Sequence, residues 1–323
     1  MATVIAKDLT KIYDNHKVAV DAINFEVFEG EVFGFLGPNG AGKSTTISMI
    51  TGIRKPTAGT LLVLDHTMPR EHRKVQQQLG YVPQELVFYD HLTVGENLSL
   101  FATSYNLKNR EERIQYATDL MGLDEISDQI ADQLSGGQKR RLNVAMGLLH
   151  EPKLLVLDEP SAGMDPQSRA MLWQSIERLS NENITILLTT HLMETADRLS
   201  DRICIIDHGK IAAIDTPQEL KKRIGEGDII EISLVETVTD ESYQSIKTTL
   251  INTFGEKFVS NIDHSLTITT LDGVNALSTI LPIINSTIGR HQVKNISLRD
   301  NTLEDVFISI TGNQLRERQE VIA

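Results

Sequence analysis

The eight residues Gly37-Pro38-Asn39-Gly40-Ala41-Gly42-Lys43-Ser44 constrain this chain more than any other stretch. They fit the pattern G-x-x-x-x-G-K-[ST], follow the apolar run Val32–Leu36 and open the helix-forming run Lys43–Ile50, which is the context the pattern needs. The residue types follow from the chemistry. Glycines let successive backbone N–H groups turn inward as a nest for a phosphate, and the start of the helix adds its positive end. Lys43 places a point charge toward the β- and γ-phosphates, the Ser44 hydroxyl suits Mg²⁺, and Thr45 is within reach of the α-phosphate. On its own the motif implies a nucleotide-binding phosphate loop and no more.

Other runs extend this into an α/β layer. Val32–Leu36, Leu61–Leu64, Leu154–Leu157, Ile184–Thr189 and Ile203–Ile206 read as strands buried on both faces. Lys43–Ile50, Gln138–Leu149 and Gln167–Leu179 read as the helices between them. At roughly 100–200 residues per domain, 323 residues suggest two domains. A net charge of −13 repels phosphate backbones and argues against general nucleic-acid binding. Cys204, the single cysteine, is expected to be a buried strand residue in a reducing compartment. No window reaches the length of about 18 apolar residues that a membrane span needs. The opening MATVIAKDLTKIYD has no apolar core of about 7–15 residues, so no secretory signal is expected. The histidines lack zinc-site spacing.

Leu154-Leu155-Val156-Leu157-Asp158-Glu159 is an apolar strand ending in two carboxylates, 115 residues after Lys43 for Asp158. Carboxylates at that end of a parallel strand face the ligand crevice. Asp158 suits the Mg²⁺ water shell, and Glu159 suits polarising the water that attacks the γ-phosphate. Upstream, Leu134-Ser135-Gly136-Gly137-Gln138 is a second glycine-rich turn at a helix start, with donors for an anion.

Taken in this order, the motifs resemble those of the ATP-binding cassette (ABC) ATPases, and the resemblance covers residues 1 to about 224. It implies a P-loop NTPase fold of the ABC nucleotide-binding type: a RecA-like core, an antiparallel β subdomain and a helical subdomain. It also implies that Ser135, Gly136, Gly137 and Gln138 hold the γ-phosphate bound by a second copy, so that two chains close head to tail over two ATP molecules. Tyr13 is similar to the aromatic that stacks on adenine; without the resemblance it would read as a surface tyrosine. Gln84, in Tyr81-Val82-Pro83-Gln84, resembles the glutamine that touches Mg²⁺ and couples the site to a membrane partner. Asp165, in Ser161-Ala162-Gly163-Met164-Asp165, resembles the aspartate that crosses the dimer interface, with Met164 where leucine is more usual. His191, 32 residues after Glu159, resembles the histidine that contacts the γ-phosphate. No catalytic position is degenerate, so both sites of a homodimer are expected to hydrolyse ATP.

Gly225-Glu226-Gly227 marks the expected boundary between an ATP-binding domain, 1–224, and a second domain, 225–313. The second domain brings a shift in composition, with 7 basic and 14 acidic residues from residue 225 to the end. Its runs read as strand Ile229–Val235, helix Ser242–Phe254, strand Phe258–Ile262, strand Ser265–Thr270, helix Val274–Ile288, strand Val293–Leu298 and helix Thr302–Thr311. The first six follow the ferredoxin-like βαββαβ order, and 314–323 reads as a polar tail that frays. Leu303, Val306, Phe307 and Ile310 share one helical face, which either completes the small domain's core or docks elsewhere. Leu303-Glu304-Asp305-Val306-Phe307 resembles the ending of drug- and lipid-exporter cassettes of the daunorubicin-resistance type.

These resemblances imply an ATPase subunit that uses ATP and Mg²⁺ to drive separate membrane permease chains. It would act as a homodimer on the cytoplasmic face of the membrane, as part of an exporter of drug, lipid or similar cargo. An importer ATPase with a ligand-sensing C-terminal domain is the main alternative. A non-transport ABC ATPase would need a long coiled-coil insertion, zinc cysteines or a second cassette. Cargo is not legible, because cassette motifs read ATP.

Overall fold

The computed structural model describes residues 1–222, 228–235, 238–255, 259–262, 265–270, 272–288 and 292–311. The expected boundary at 224/225, the start of the strand at Phe258 and the tail 314–323 lie outside the described residues. The chain divides into two compact units, one over residues 1–217 and one over Gln218–Gln314.

The strands of the first unit are β1 (Ala2–Ile12), β2 (Val18–Phe28), β3 (Val32–Leu36), β4 (Ala58–Val63), β5 (His66–Thr67), β6 (Leu79–Val82), β7 (Leu154–Asp158), β8 (Thr185–Thr190), β9 (Arg202–Asp207) and β10 (Lys210–Asp215). They form two sheets. One has the order β10-β9-β3-β8-β7-β6 and is parallel except for its edge strand β10. The other is antiparallel, with the order β2-β1-β4-β5.

The parallel strands are buried on both faces, as continuous apolar runs require. Along β7, Leu154 and Val156 face one core, while Leu155 and Leu157 face the other. The first core lies between the two sheets and takes in the helix Lys43–Ile50. Phe25, Phe33 and Phe35 meet there, with the Phe25 and Phe35 rings edge to face at 5.1 Å. Burying one such ring contributes about 1.5–3 kcal/mol. The second core joins the parallel sheet to the helices Gly136–Leu148 and Pro166–Asn181 through Leu142, Leu148, Leu172 and Ile176. Cys204 is a fully buried free thiol in β9, and burial pushes its pKa up.

One strand expectation is corrected. The run Leu61–Leu64 is not in the parallel layer: it belongs to β4 of the antiparallel sheet, and Leu64 has already left the strand with a φ of +50°. Leu61 and Val63 are buried, but Leu62 between them is 37% exposed. A short apolar run does not by itself distinguish a half-buried strand from a fully buried one.

In the second unit, β11 (Asp228–Leu234), β12 (Val259–Ile262), β13 (Ser265–Thr270) and β14 (Val293–Asp300) form an antiparallel sheet in the order β12-β13-β11-β14. The helix Asp240–Phe254 joins β11 to β12, and the helix Gly273–Thr287 joins β13 to β14. Ile230, Ile232, Leu266 and Ile268 pack with Ile246, Leu250, Ile280 and Ile284 of the helices. In the helix Leu303–Thr311, Leu303, Val306 and Phe307 are buried, whereas Ile310, the fourth member of the expected face, is 36% exposed. No helix among the described residues is long and apolar enough to cross a membrane.

Candidate active site

Strands β3, β7 and β8 run parallel, so their carboxyl ends meet at one edge, with Leu36 beside Thr190 and Asp158 beside Thr189. The phosphate loop leaves β3 at that edge. Gly42, the residue before the helix, has a φ of +112°, and a Cβ there would lie 2.6 Å from the Ala19 carbonyl oxygen. Only glycine suits both demands. No side chain caps the helix Lys43–Ile50, so its first turn offers N–H groups to an anion.

Lys43 is buried, and its Nζ donates to the carbonyls of Gly37 at 2.7 Å and Pro38 at 3.2 Å. It also pairs with Glu159 Oε1 at 3.2 Å. The other carboxylate oxygen of Glu159 lies 2.9 Å from His191 Nδ1. Burial alone would raise the Glu159 pKa; the His191 hydrogen bond and the Lys43 charge outweigh it and hold the carboxyl below its ordinary value. Glu159 is therefore an ionised acceptor at neutral pH, oriented by His191. Asp158 Oδ1 accepts from Ser44 Oγ at 3.3 Å and from Thr189 Oγ1 at 2.5 Å, which draws the loop serine to the acidic strand end.

A groove of about 280 Å³ opens over these groups, lined by Tyr13, Asn39, Gly40, Lys43, Ser44, Thr45, Gln84 and Glu159 among others. The Tyr13 hydroxyl is 3.2 Å from Thr45 Oγ1, and its ring lies beside the cations of Lys11 and Arg54. A larger cavity of about 600 Å³ sits beside Gln78, Lys153 and Ile184, at the amino ends of the same strands. Ligands of such sheets bind at the carboxyl ends, so the smaller groove is the candidate site.

Ser135, Gly136, Gly137, Gln138 and Asp165 do not line that groove. Ser135 and Gln138 form a capping box at the start of the helix Gly136–Leu148, two residues earlier than the sequence suggests. Asp165 caps the helix Pro166–Asn181 by accepting from the Ser168 N–H at 3.0 Å. Both turns are surface features of this chain, available to a second one.

Sequence reasoning missed four contributors. Lys17 lines the groove. Thr189 accepts from the Glu159 N–H at 2.9 Å while donating to Asp158. Arg140 and Asn143 tie the Gln84 loop to the helix Gly136–Leu148, which opens with the glycine-rich signature turn Leu134–Gln138: Arg140 donates to Gln84 O at 3.0 Å, and Asn143 Oδ1 accepts from the Val87 N–H at 3.1 Å. The available signal was a pair of arginines directly before the largely apolar run Leu142–Leu149, because a buried cation demands many partners.

Comparison with known proteins shows the family. The profile of the family described as "ABC transporter" matches residues 20–162. The chain is 34% identical to the linearmycin resistance ATP-binding protein LnrL of Bacillus subtilis (strain 168), across 97% of this chain and 99% of that one. It is 42% identical to the Nod factor export ATP-binding protein I of Sinorhizobium fredii, across 71% of this chain and 68% of the relative. A solved structure titled as a dimeric bacterial ABC transporter cassette, MJ0796, superposes with a TM-score of 0.60 at 25% identity, covering 66% of this chain and 98% of the other. With its phosphate loop, acidic strand end and signature turn on a shared P-loop NTPase fold, the chain belongs to the ABC transporter family as an ATP-binding subunit that hydrolyses ATP.

Proposed function

We propose that this chain powers an exporter of drug, lipid or similar cargo, through separate permease chains on the cytoplasmic face of the membrane. The observation that carries this reading is the similarity to LnrL, named for resistance, over nearly the whole of both chains, second unit included. The export named in the Sinorhizobium relative agrees. The loop after Gln84 suits an apolar partner surface, since Leu86, Val87 and Tyr89 are 43%, 49% and 58% exposed.

In this reading Lys43 and the loop N–H groups hold the phosphates, Tyr13 stacks on the base and Glu159 takes the proton of the attacking water. His191 keeps the Glu159 carboxylate aimed. Ser44 Oγ, the Asp158 carboxylate and the Gln84 side-chain carbonyl offer a few hard oxygen donors. That set fits Mg²⁺, which keeps waters and takes substrate phosphates; it would neutralise charge developing on those phosphates. Ser135 to Gln138 and Asp165 act on the nucleotide of a second copy. Residues 1–224 form the ATP-binding domain, 225–313 a ferredoxin-like accessory domain and 314–323 a polar tail.

The dimer is tested by mixing Ser135→Arg chains with Lys43→Ala chains. In a head-to-tail pair one site carries both lesions and the other neither, so ATPase activity partly returns. No recovery in proven mixed dimers overturns the trans arrangement. The exporter reading is tested by purifying the tagged chain with its membrane partner and measuring ATP-driven uptake of cargo into inside-out vesicles. Uptake into right-side-out vesicles instead would make it an importer.

A further inference from the structure

The helix that opens with the signature turn carries a buried cation one turn in. Arg140 is 5% exposed. On one side its guanidinium donates to the carbonyls of Pro83 at 2.8 Å and Gln84 at 3.0 Å. On the other it donates to the carbonyls of Asp158 at 2.8 Å, Glu159 at 2.6 Å and Pro160 at 2.9 Å. These acceptors belong to the loop after β6 and to the end of β7, and Arg140 itself does not line the nucleotide groove.

The Glu159 backbone needs such support. Its φ of +48° is a region that side chains larger than glycine rarely adopt, and strain of that kind persists only where the surroundings over-determine it. The Thr189 hydroxyl fixes the Glu159 N–H, and Arg140 fixes the carbonyls before, at and after it. A planar fork of five donors can satisfy two segments at once; the three N–H groups of a lysine radiate from one atom.

We propose that Arg140 is a positioning residue for ATP hydrolysis: it holds Glu159 in its left-handed backbone conformation and fastens the Gln84 loop to it. This rests on Glu159 as the group that orients the attacking water. Arg141 supplies the control, because it is equally buried and also donates to carbonyls, those of Met121 at 2.5 Å and Gly122 at 2.9 Å, away from the site.

The full-length chain is compared as wild type, Arg140→Lys, Arg141→Lys and Glu159→Gln. Steady-state kcat and KM are expressed per chain able to bind a non-hydrolysable ATP analogue, so that loss of folded protein is not counted. The expected result for Arg140→Lys is a kcat at least tenfold lower, with KM and analogue affinity within threefold. For Arg141→Lys it is a lower Tm and a kcat within twofold of wild type. Arg140→Met repeats the comparison should the lysine variant fold poorly. A wild-type kcat in Arg140→Lys, or an equal loss in Arg141→Lys, overturns the proposal. An active Glu159→Gln overturns the parent assignment of Glu159 instead, and the two failures are read separately.

Discussion

Glu159 keeps a negative charge in a buried place because two cationic or proton-bearing groups share it. Lys43 meets one oxygen and His191 the other. Replacing it by glutamine removes the charge but keeps the volume. Glu159→Gln should bind ATP with unchanged affinity, lose turnover by at least about 100-fold, and elute as an ATP-bound dimer on gel filtration. A variant that remains monomeric and hydrolyses at the wild-type rate would sink the role. The pH dependence follows from the same contacts. The folded pKa of Glu159 lies below its ordinary 4.5, so the ionised form persists through the neutral range and is lost only as pH falls through that lowered value. The acid limb of kcat/KM assigned to Glu159 should therefore lie below about pH 5; a limb near neutrality belongs to another group. The groove residues Asn39, Gly40, Gly42 to Thr45, Gln84 and Glu159 were legible because each sits in a short motif with a chemical reason, whereas Lys17 sits in none. Thr189 and Arg140 were not, since their roles are long-range hydrogen bonds between segments far apart in sequence.

At the scale of elements, the phosphate-loop helix Lys43–Ile50 was legible to the residue, because a glycine turn fixes its start. The helices Gly136–Leu148 and Pro166–Asn181 begin earlier than their apolar runs suggest, at capping residues Ser135 and Asp165 that bind backbone N–H groups rather than core. The same logic explains the aspartate of the C-terminal Leu303–Phe307 run. Asp305 accepts from Thr302 N–H at 2.8 Å and the Asp305 N–H donates to Thr302 Oγ1 at 3.4 Å, while Arg299 of β14 donates to both carboxylate oxygens of Asp305 at 2.7 and 2.8 Å. Arg299 also binds Glu231 of β11. Burial alone would raise the Asp305 pKa, but the Arg299 and Thr302 hydrogen bonds bring it below its ordinary 3.8. The stability this carboxylate contributes is complete above that ordinary value and fades as pH falls through the lowered one. Asp305→Ala should destabilise the second unit by about 0.5–2 kcal/mol, the range for a lost helix cap, measured by urea unfolding. Asp305→Asn keeps a capping oxygen, so its deficit should be present at pH 7 and shrink below about pH 4; a deficit independent of pH would remove the ion pair from the account.

At the scale of the whole molecule, the two units have separate cores. Every residue of the nucleotide groove lies before residue 160 and His191 before 217. A chain ending after residue 224 should bind ATP within about threefold of the full-length affinity, measured by fluorescent-nucleotide titration. A larger loss would mean that the second unit supports the site. In the parallel layer β3, β7, β8 and β9 were legible from continuous apolar runs, whereas β6, broken by Gly80, was not, and neither was the placement of β4, because sheet membership depends on which partner strand lies beside it.

The central position of β3 also has a consequence for biosynthesis. Val32–Leu36 is wholly buried, and its hydrogen-bond neighbours are β8 and β9, which end at Thr190 and Asp207. A ribosome adding about 5–20 residues per second needs roughly 10–35 s to pass from the end of β3 to the end of β9. Through that interval the nascent chain carries a five-residue apolar stretch, and behind it a phosphate loop without the strands that frame it. ATP is therefore expected to bind this protein only once β9 has been made. Ribosome-bound chains stalled before β8 should fail to be retained on immobilised ATP and should recruit chaperone at Val32–Leu36, while chains released past β9 should be retained. The loop is made before the strands that frame it, and acquires its function only after them.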